Sequence, residues 1–252
     1  MISGLEITVH ELNTLQLLTM YQVHRPSRSE FVPIRDHLYH VRLWGSLESL
    51  NHAPALVMLH GWMDVSASFQ FLVDAMSKER LIIAPDWRGF GLTKRNSSAA
   101  DSWGVDHYVF ADYLGDLDAL VEHYLRDSVF DLLGHSMGGN VSMVYAGVRP
   151  NRVRTLINLE GFGMPSTRAA QAPGRYAKWL DEIKALKEGS LQLKGYKSAS
   201  HVAERLMKNN ARITPDKALW LAHHWAKEHG PEDWRLWADP AHKVTSAQLY
   251  RA

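Results

Sequence analysis

Gly134-His135-Ser136-Met137-Gly138-Gly139 is the stretch whose reading decides the fold. It follows the apolar run Val129-Phe130-Asp131-Leu132-Leu133 and precedes Asn140–Gly147, which reads as a helix. G-x-S-x-G between a strand and a helix is the pattern of a serine held on a tight, strained turn. Side chains two residues to either side of that serine would collide with neighbouring backbone, which explains Gly134 and Gly138. The N-terminus of the following helix places positive dipole behind Ser136, where an oxyanion would develop during attack on a carbonyl.

Outward from this turn, strand and helix signals alternate. Phe31–Ile34 and Leu38–Trp44 predict a hairpin around Asp36. Ala55–Leu59, Arg80–Ala84 and Val153–Leu159 are apolar runs of the kind buried on both faces of a parallel sheet. Ala67–Met76 and Tyr108–Leu125 carry apolar residues at helical spacing. Strands separated by helices imply a mostly parallel α/β sheet covered on both sides. After Gly163 the text changes. From Pro173 to about His229 it reads as helical without a strand signal, and Thr214-Pro215 marks a helix start. The expected organisation is an extension over 1–29, a core over 30–163 and a helical module over 164–252.

Composition narrows the function. Lys plus Arg total 28 and Asp plus Glu total 27, a net charge of +1 that leaves no electrostatic footprint for nucleic acid or a membrane surface. The absence of cysteine removes disulfides, thiol nucleophiles and Cys-type metal sites, and fits a reducing, cytoplasmic setting. No apolar run reaches the roughly 18 residues of a membrane span, and residues 1–19 do not read as a signal peptide. The 14 histidines are scattered: His37/His40 would point to opposite faces of a strand and His223/His224 diverge on a helix, so no metal is expected. Gly89-Phe90-Gly91 lacks the setting of a phosphate loop, and no cofactor is expected.

A second motif, His60-Gly61-Trp62, ends the strand over 55–59. There a backbone N–H can turn toward Ser136, so the Trp62 and Met137 N–H groups are the expected oxyanion donors, while His60 reads as structural. With HGW at 60–62, DWRGFG at 86–91 and GHSMGG at 134–139 in that order, the chain resembles the α/β-hydrolase superfamily. The resemblance implies an eight-stranded sheet, a helical cap inserted after the sixth strand, turn-fixing roles for Asp86 and Arg88, and a Ser–acid–His triad. Ser136 would be the nucleophile. Glu160, at the end of the strand over 153–159, is the acid candidate. Trp62 and Phe162 are expected to line the substrate pocket.

The chain departs from that pattern near its end. No apolar strand signal follows the helical module, so strands seven and eight and the histidine that follows them are expected to be absent from this sequence, as in a degenerate hydrolase or a fragment of a longer one. His201, His223, His224, His229 and His242 are poor substitutes, since none lies in a loop after an apolar strand. The expected chemistry is cleavage of an ester or related acyl bond, on a small apolar or acyl substrate. A carbon–carbon bond hydrolase of the same fold and a non-catalytic binder of a small apolar ligand are the alternatives. The strand over 153–159 would then be an apolar sheet edge open to self-association.

Overall fold

Residues 20–95 and 105–249 are described by a computed structural model, and the readings made on 1–19, 96–104 and 250–252 lie outside them. Strands β1 (Arg28–Ile34) and β2 (His37–Trp44) form the hairpin, turned at Arg35 with its left-handed φ of 52°. β1 starts two residues inside the stretch read as an extension. β3 (Leu56–Leu59), β4 (Ile82–Pro85), the two-residue β5 (Lys94–Arg95), β6 (Phe130–His135) and β7 (Val153–Leu159) complete the central sheet. Its order is β1-β2-β4-β3-β6-β7, with β5 paired to β2. β4, β3, β6 and β7 run parallel, while β1 and β2 are antiparallel to their neighbours. Where the resemblance implies eight strands, the described sheet has seven, and β7 is its edge.

Helices cover the two faces. α2 (Phe110–Leu125) and α3 (Met137–Val148) bury Leu117, Leu120, Val121, Val141 and Tyr145 with Val57 and Leu132. On the opposite face α1 (Gln70–Ala75) and the 3-10 turn before it bring Val73 and Phe69 onto Leu56, Met58, Ile82 and Leu133. α4 (Ala172–Lys187), α5 (Ala199–Asn209) and α6 (Pro215–Trp225) form the helical segment expected after Gly163. Val202, Ala203 and Leu206 of α5 meet Ala218, Leu221 and Ala222 of α6 over Val65 and Ala67. None of it continues the central sheet.

One expectation for this segment fails. Residues read as the end of a helix form a hairpin, β8 (Ala226–Gly230) with β9 (Asp233–Leu236). Gly230-Pro231-Glu232 turns it, with Glu232 at φ 55°. The strands are short and largely exposed, so the apolar run that marks a buried strand is absent. Beyond it the chain returns to the core: Gly91 N–H donates to the Trp237 carbonyl, and Asp239 N–H to that of Gly89.

Asp86 and Arg88 hold the loop after β4, as expected. The Asp86 carboxylate accepts from the Ser66 and Leu92 N–H groups and pairs with His40 Nδ1 at 2.7 Å. Burial opposes its ionisation, but the His40 hydrogen bond and charge outweigh that and hold the carboxyl below the ordinary range. Arg88 is bidentate on buried Asp116. Part of the N-terminal stretch is a tie: Tyr21 OH and Arg25 N–H both donate to Asp74 of α1, and Tyr21 N–H to the Asp216 carbonyl of α6. No described helix is long and apolar enough to cross a membrane.

Two histidines make the fold acid-sensitive. Burial first, then the nearby Arg42 charge, pushes His224 down to about 4. Burial pushes His242, stacked between Phe90 and Tyr108, down to about 3. Both stay neutral in the folded state and take up protons more readily once unfolded. Stability is therefore complete above the unfolded histidine value near 6.5 and falls as pH drops toward 4. Between pH 7 and pH 5 the loss is expected to be about 2 kcal/mol after allowance for solvent screening. Urea midpoints at the two pH values check it, and His224→Gln should flatten the slope.

Candidate active site

Ser136 joins β6 to α3 at φ 52° and ψ −114°, a backbone conformation that costs a side-chain-bearing residue about 1–3 kcal/mol. The surroundings hold it there. Ser136 N–H donates to the Leu159 carbonyl of β7 at 2.8 Å, and its own carbonyl accepts from Asn140 N–H at 3.0 Å. A Cβ on Gly134 would strike the Gly138 carbonyl oxygen and Ser142 Oγ; one on Gly138 would strike the Leu59 carbonyl of β3. The glycine spacing read from sequence is thus a three-way backbone contact between β3, the turn and α3. Gly138→Ala is expected to cost about 2 kcal/mol or more, since the clash is with backbone that cannot rotate away. A fall in thermal midpoint on circular dichroism measures it, and an unchanged midpoint would contradict this account of the turn.

Because β3 and β6 are adjacent, the loop after β3 lies beside the turn: a Cβ on Gly61 would sit 3.2 Å from Ser136 Cβ. Trp62 follows Gly61 and Met137 follows Ser136 in the chain, and neither N–H donates a hydrogen bond among the described residues. His60 is fully buried. Its Nδ1 is 2.8 Å from the Gly61 carbonyl, and its Nε2 accepts from Trp87 N–H. Burial pushes its pKa down, so it is a neutral strut of the loop. On the other side of the turn, Asn158 closes the end of β7 by bonding both the N–H and the carbonyl of Gly161. That turn puts Glu160 at φ 60°.

Ser136, Trp62 and Glu160 come together in the wall of a cavity of about 870 Å³ between the C-terminal ends of β3, β6 and β7 and helices α5 and α6. Leu206, Ile213, Leu221 and Trp225 roof it. Phe162 does not join them. The expectation that it lines the pocket is corrected: the residue is 90% exposed and lies outside the lining, just past the end of β7, which has no further strand beside it among the described residues.

The five candidate histidines are also elsewhere. His201 pairs with Ser198 Oγ at the start of α5, His223 packs on Trp234, His224 on Trp220, His229 lies in β8, and His242 is in its aromatic stack. The imidazole in the cavity wall is His135, with Nδ1 3.1 Å from where a Gly61 Cβ would be. No group of three or more metal-binding side chains occurs among the described residues.

Comparison with known proteins agrees with the fold. Residues 54–205 match the family model of the alpha/beta hydrolase fold. The chain belongs to that family. A serine hydrolase-like protein of Danio rerio is 30% identical over 144 residues, covering 57% of this chain and 41% of that protein. A 2-hydroxymuconate semialdehyde hydrolase of Pseudomonas sp. (strain CF600) is 33% identical over 139 residues, covering 52% and 45%. The chain thus spans less than half the length of these two relatives. A hypothetical protein of Pseudomonas aeruginosa PAO1 shares the fold with a TM-score of 0.71 at 24% identity, covering 88% of this chain and 73% of its own.

For this hydrolase-fold chain the sequence reading missed Asp64, Ser68, Phe71 and Trp225 in the cavity wall. Asp64 Oδ1 accepts from Val65 N–H, from Ser68 Oγ and, at 3.0 Å, from Trp225 Nε1, tying the loop after β3 to the end of α6. A signal was present: Asp64 stands two residues after Trp62 on the loop whose backbone matters. Trp225 gave none, because its contact lies 161 positions away.

Proposed function

We propose that the chain is a serine hydrolase of the ester or related acyl type, with Ser136 as nucleophile and the Trp62 and Met137 N–H groups as its oxyanion hole. The observation that carries this reading is the left-handed Ser136 in the cavity wall, beside the loop of Gly61, while the Trp62 and Met137 N–H groups have no acceptor among the described residues. Ser136 Oγ bonds to the carbonyl carbon while the carbonyl electrons move onto its oxygen, toward those N–H groups. The tetrahedral intermediate collapses, the alkoxide leaves with the proton that the serine lost, and water later releases the acyl group as an acid. Helices α5 and α6 act as the cap, and their leucines and Trp225 give the acyl chain an apolar roof. Glu160 stands where a triad acid would orient an imidazole.

The second reading, a non-catalytic binder of a small ligand, is favoured by one observation: none of the five late histidines reaches the cavity. A fluorophosphonate probe separates the two. Labelling mapped to Ser136 by mass spectrometry, and lost in Ser136→Ala, supports the enzyme. A folded, unlabelled chain that still binds ligand supports the binder.

A further inference from the structure

We infer that the cavity selects by charge, admitting neutral and cationic acyl compounds and rejecting those that carry a carboxylate. The inference rests on the hydrolase reading only in taking the Ser136 cavity as the substrate site. Its basis is the wall itself. Two carboxylate side chains, Asp64 and Glu160, line the cavity, and no Lys or Arg does among the described residues. They stand on both sides of the serine, because the strand order β3-β6-β7 puts the loop carrying Asp64 on one flank of Ser136 and the end of β7 on the other.

No salt bridge to Asp64 or Glu160 exists among the described residues. Asp64 accepts three hydrogen bonds on Oδ1, and its Oδ2 accepts none there. The segments outside the description contain one cation, Arg251, against Glu6, Glu11 and Asp101. The polar remainder of the wall is the His135 imidazole together with amides and hydroxyls, as in Asn158, Asn209, Asn210 and Ser68. The apolar roof gives binding energy to any acyl chain of suitable shape. The two like charges then decide which chain end is tolerated, since an anion must enter a partly desolvated site against both and gains no counter-ion. A quaternary ammonium also finds the Trp62 and Trp225 rings in the same wall.

The experiment uses three compounds of matched length and shape: a neutral butyl methyl ketone, its carboxylate analogue and its trimethylammonium analogue. Binding to the full chain and to Ser136→Ala is followed by tryptophan fluorescence, since Trp62 and Trp225 line the cavity. The expected order is ammonium and ketone above carboxylate, with the carboxylate weaker by about tenfold or more at low salt. The gap should shrink as ionic strength rises and the Debye length falls from about 30 Å at 0.01 M to about 3 Å at 1 M. Asp64→Asn, which keeps the acceptor oxygen, and Glu160→Gln should each narrow it. Carboxylate binding as tight as that of the ketone, a gap that ignores salt and both variants, or no binding of any of the three overturns the inference. The two readings fail separately: the charge order in a chain that no fluorophosphonate labels sinks the hydrolase and leaves the selectivity standing, while labelling without the order does the reverse.

Discussion

Added imidazole is expected to accelerate hydrolysis of a short nitrophenyl ester by the chain, and Ser136→Ala to abolish both the basal and the accelerated rate above background. The reason is the base. A serine hydroxyl is protonated at neutral pH and attacks poorly until a neighbouring group takes its proton. His201, His223, His224, His229 and His242 all lie outside the cavity wall, and the pKa values of His224 and His242 are lowered by burial within their own packing. On the proposed reading Ser136 and the Trp62 and Met137 N–H groups would act without one of the five late histidines, and a triad that lacks one member retains roughly 10³–10⁴-fold over water. A soluble imidazole small enough to enter about 870 Å³ next to Glu160 would supply a proton acceptor that none of these five histidines provides. A rise of about tenfold across a millimolar titration is the expected size, far below a built-in base because the effective molarity of a tethered group is lost. The Ser136→Ala rate subtracts the direct attack of imidazole on the ester. Equal acceleration in both proteins would remove Ser136 from the reaction. A fast wild-type rate indifferent to imidazole would show that a base is already present, and His135 would be the residue to replace.

The core of the fold was legible because its signals are local. β7 runs over Val153–Leu159 as read, and the turn at Ser136 follows from two glycines whose absence of side chain is a steric requirement between neighbouring backbone segments. The place of the loop after β3 beside the Ser136 turn was legible for the same reason, as a strand end followed by Gly61. What escaped notice depends on long-range packing. The β8–β9 hairpin has no apolar run, only a Gly-Pro turn and an alternation around Trp234. Asp64 reads as one loop acid among many until Trp225 is brought against it. Phe162 reads as a lining residue of an apolar pocket; its 90% exposure depends on what packs beyond the end of β7, which the sequence does not signal locally.

That bare side leads to the second large expected effect: the 28.6 kDa chain should be a dimer in solution, and Leu156→Lys should make it a monomer. β7 pairs with β6 alone among the described residues, so the backbone N–H and carbonyl groups of its outer side have no strand to meet. Its side chains are no better covered. Leu156, Ile157 and Leu159 are 38–41% exposed, whereas Leu133, in register beside Ile157, is 5% exposed. Natural edges are usually blunted by lysine, proline or an outward bulge. β7 has no lysine or proline, its register shift against β6 is confined to Arg154, and that residue, its one charge, is folded back onto Asp131 at 2.8 and 2.6 Å. The strand is also self-complementary. An antiparallel partner centred on Leu156 would set Val153 against Leu159, Arg154 against Asn158 and Thr155 against Ile157, with no like charges opposed. A twofold axis through Leu156 therefore satisfies the edge in both copies at once, as closed symmetric pairs require. Lysine at position 156 places two cations face to face on that axis, while Leu156→Thr keeps a strand-forming neutral residue there and should leave the dimer intact. Light scattering behind size exclusion reads the mass, and circular dichroism confirms that each variant is folded. A wild-type chain that stays monomeric at tens of micromolar, or a folded Leu156→Lys protein that stays dimeric, would show that β7 is not the contact.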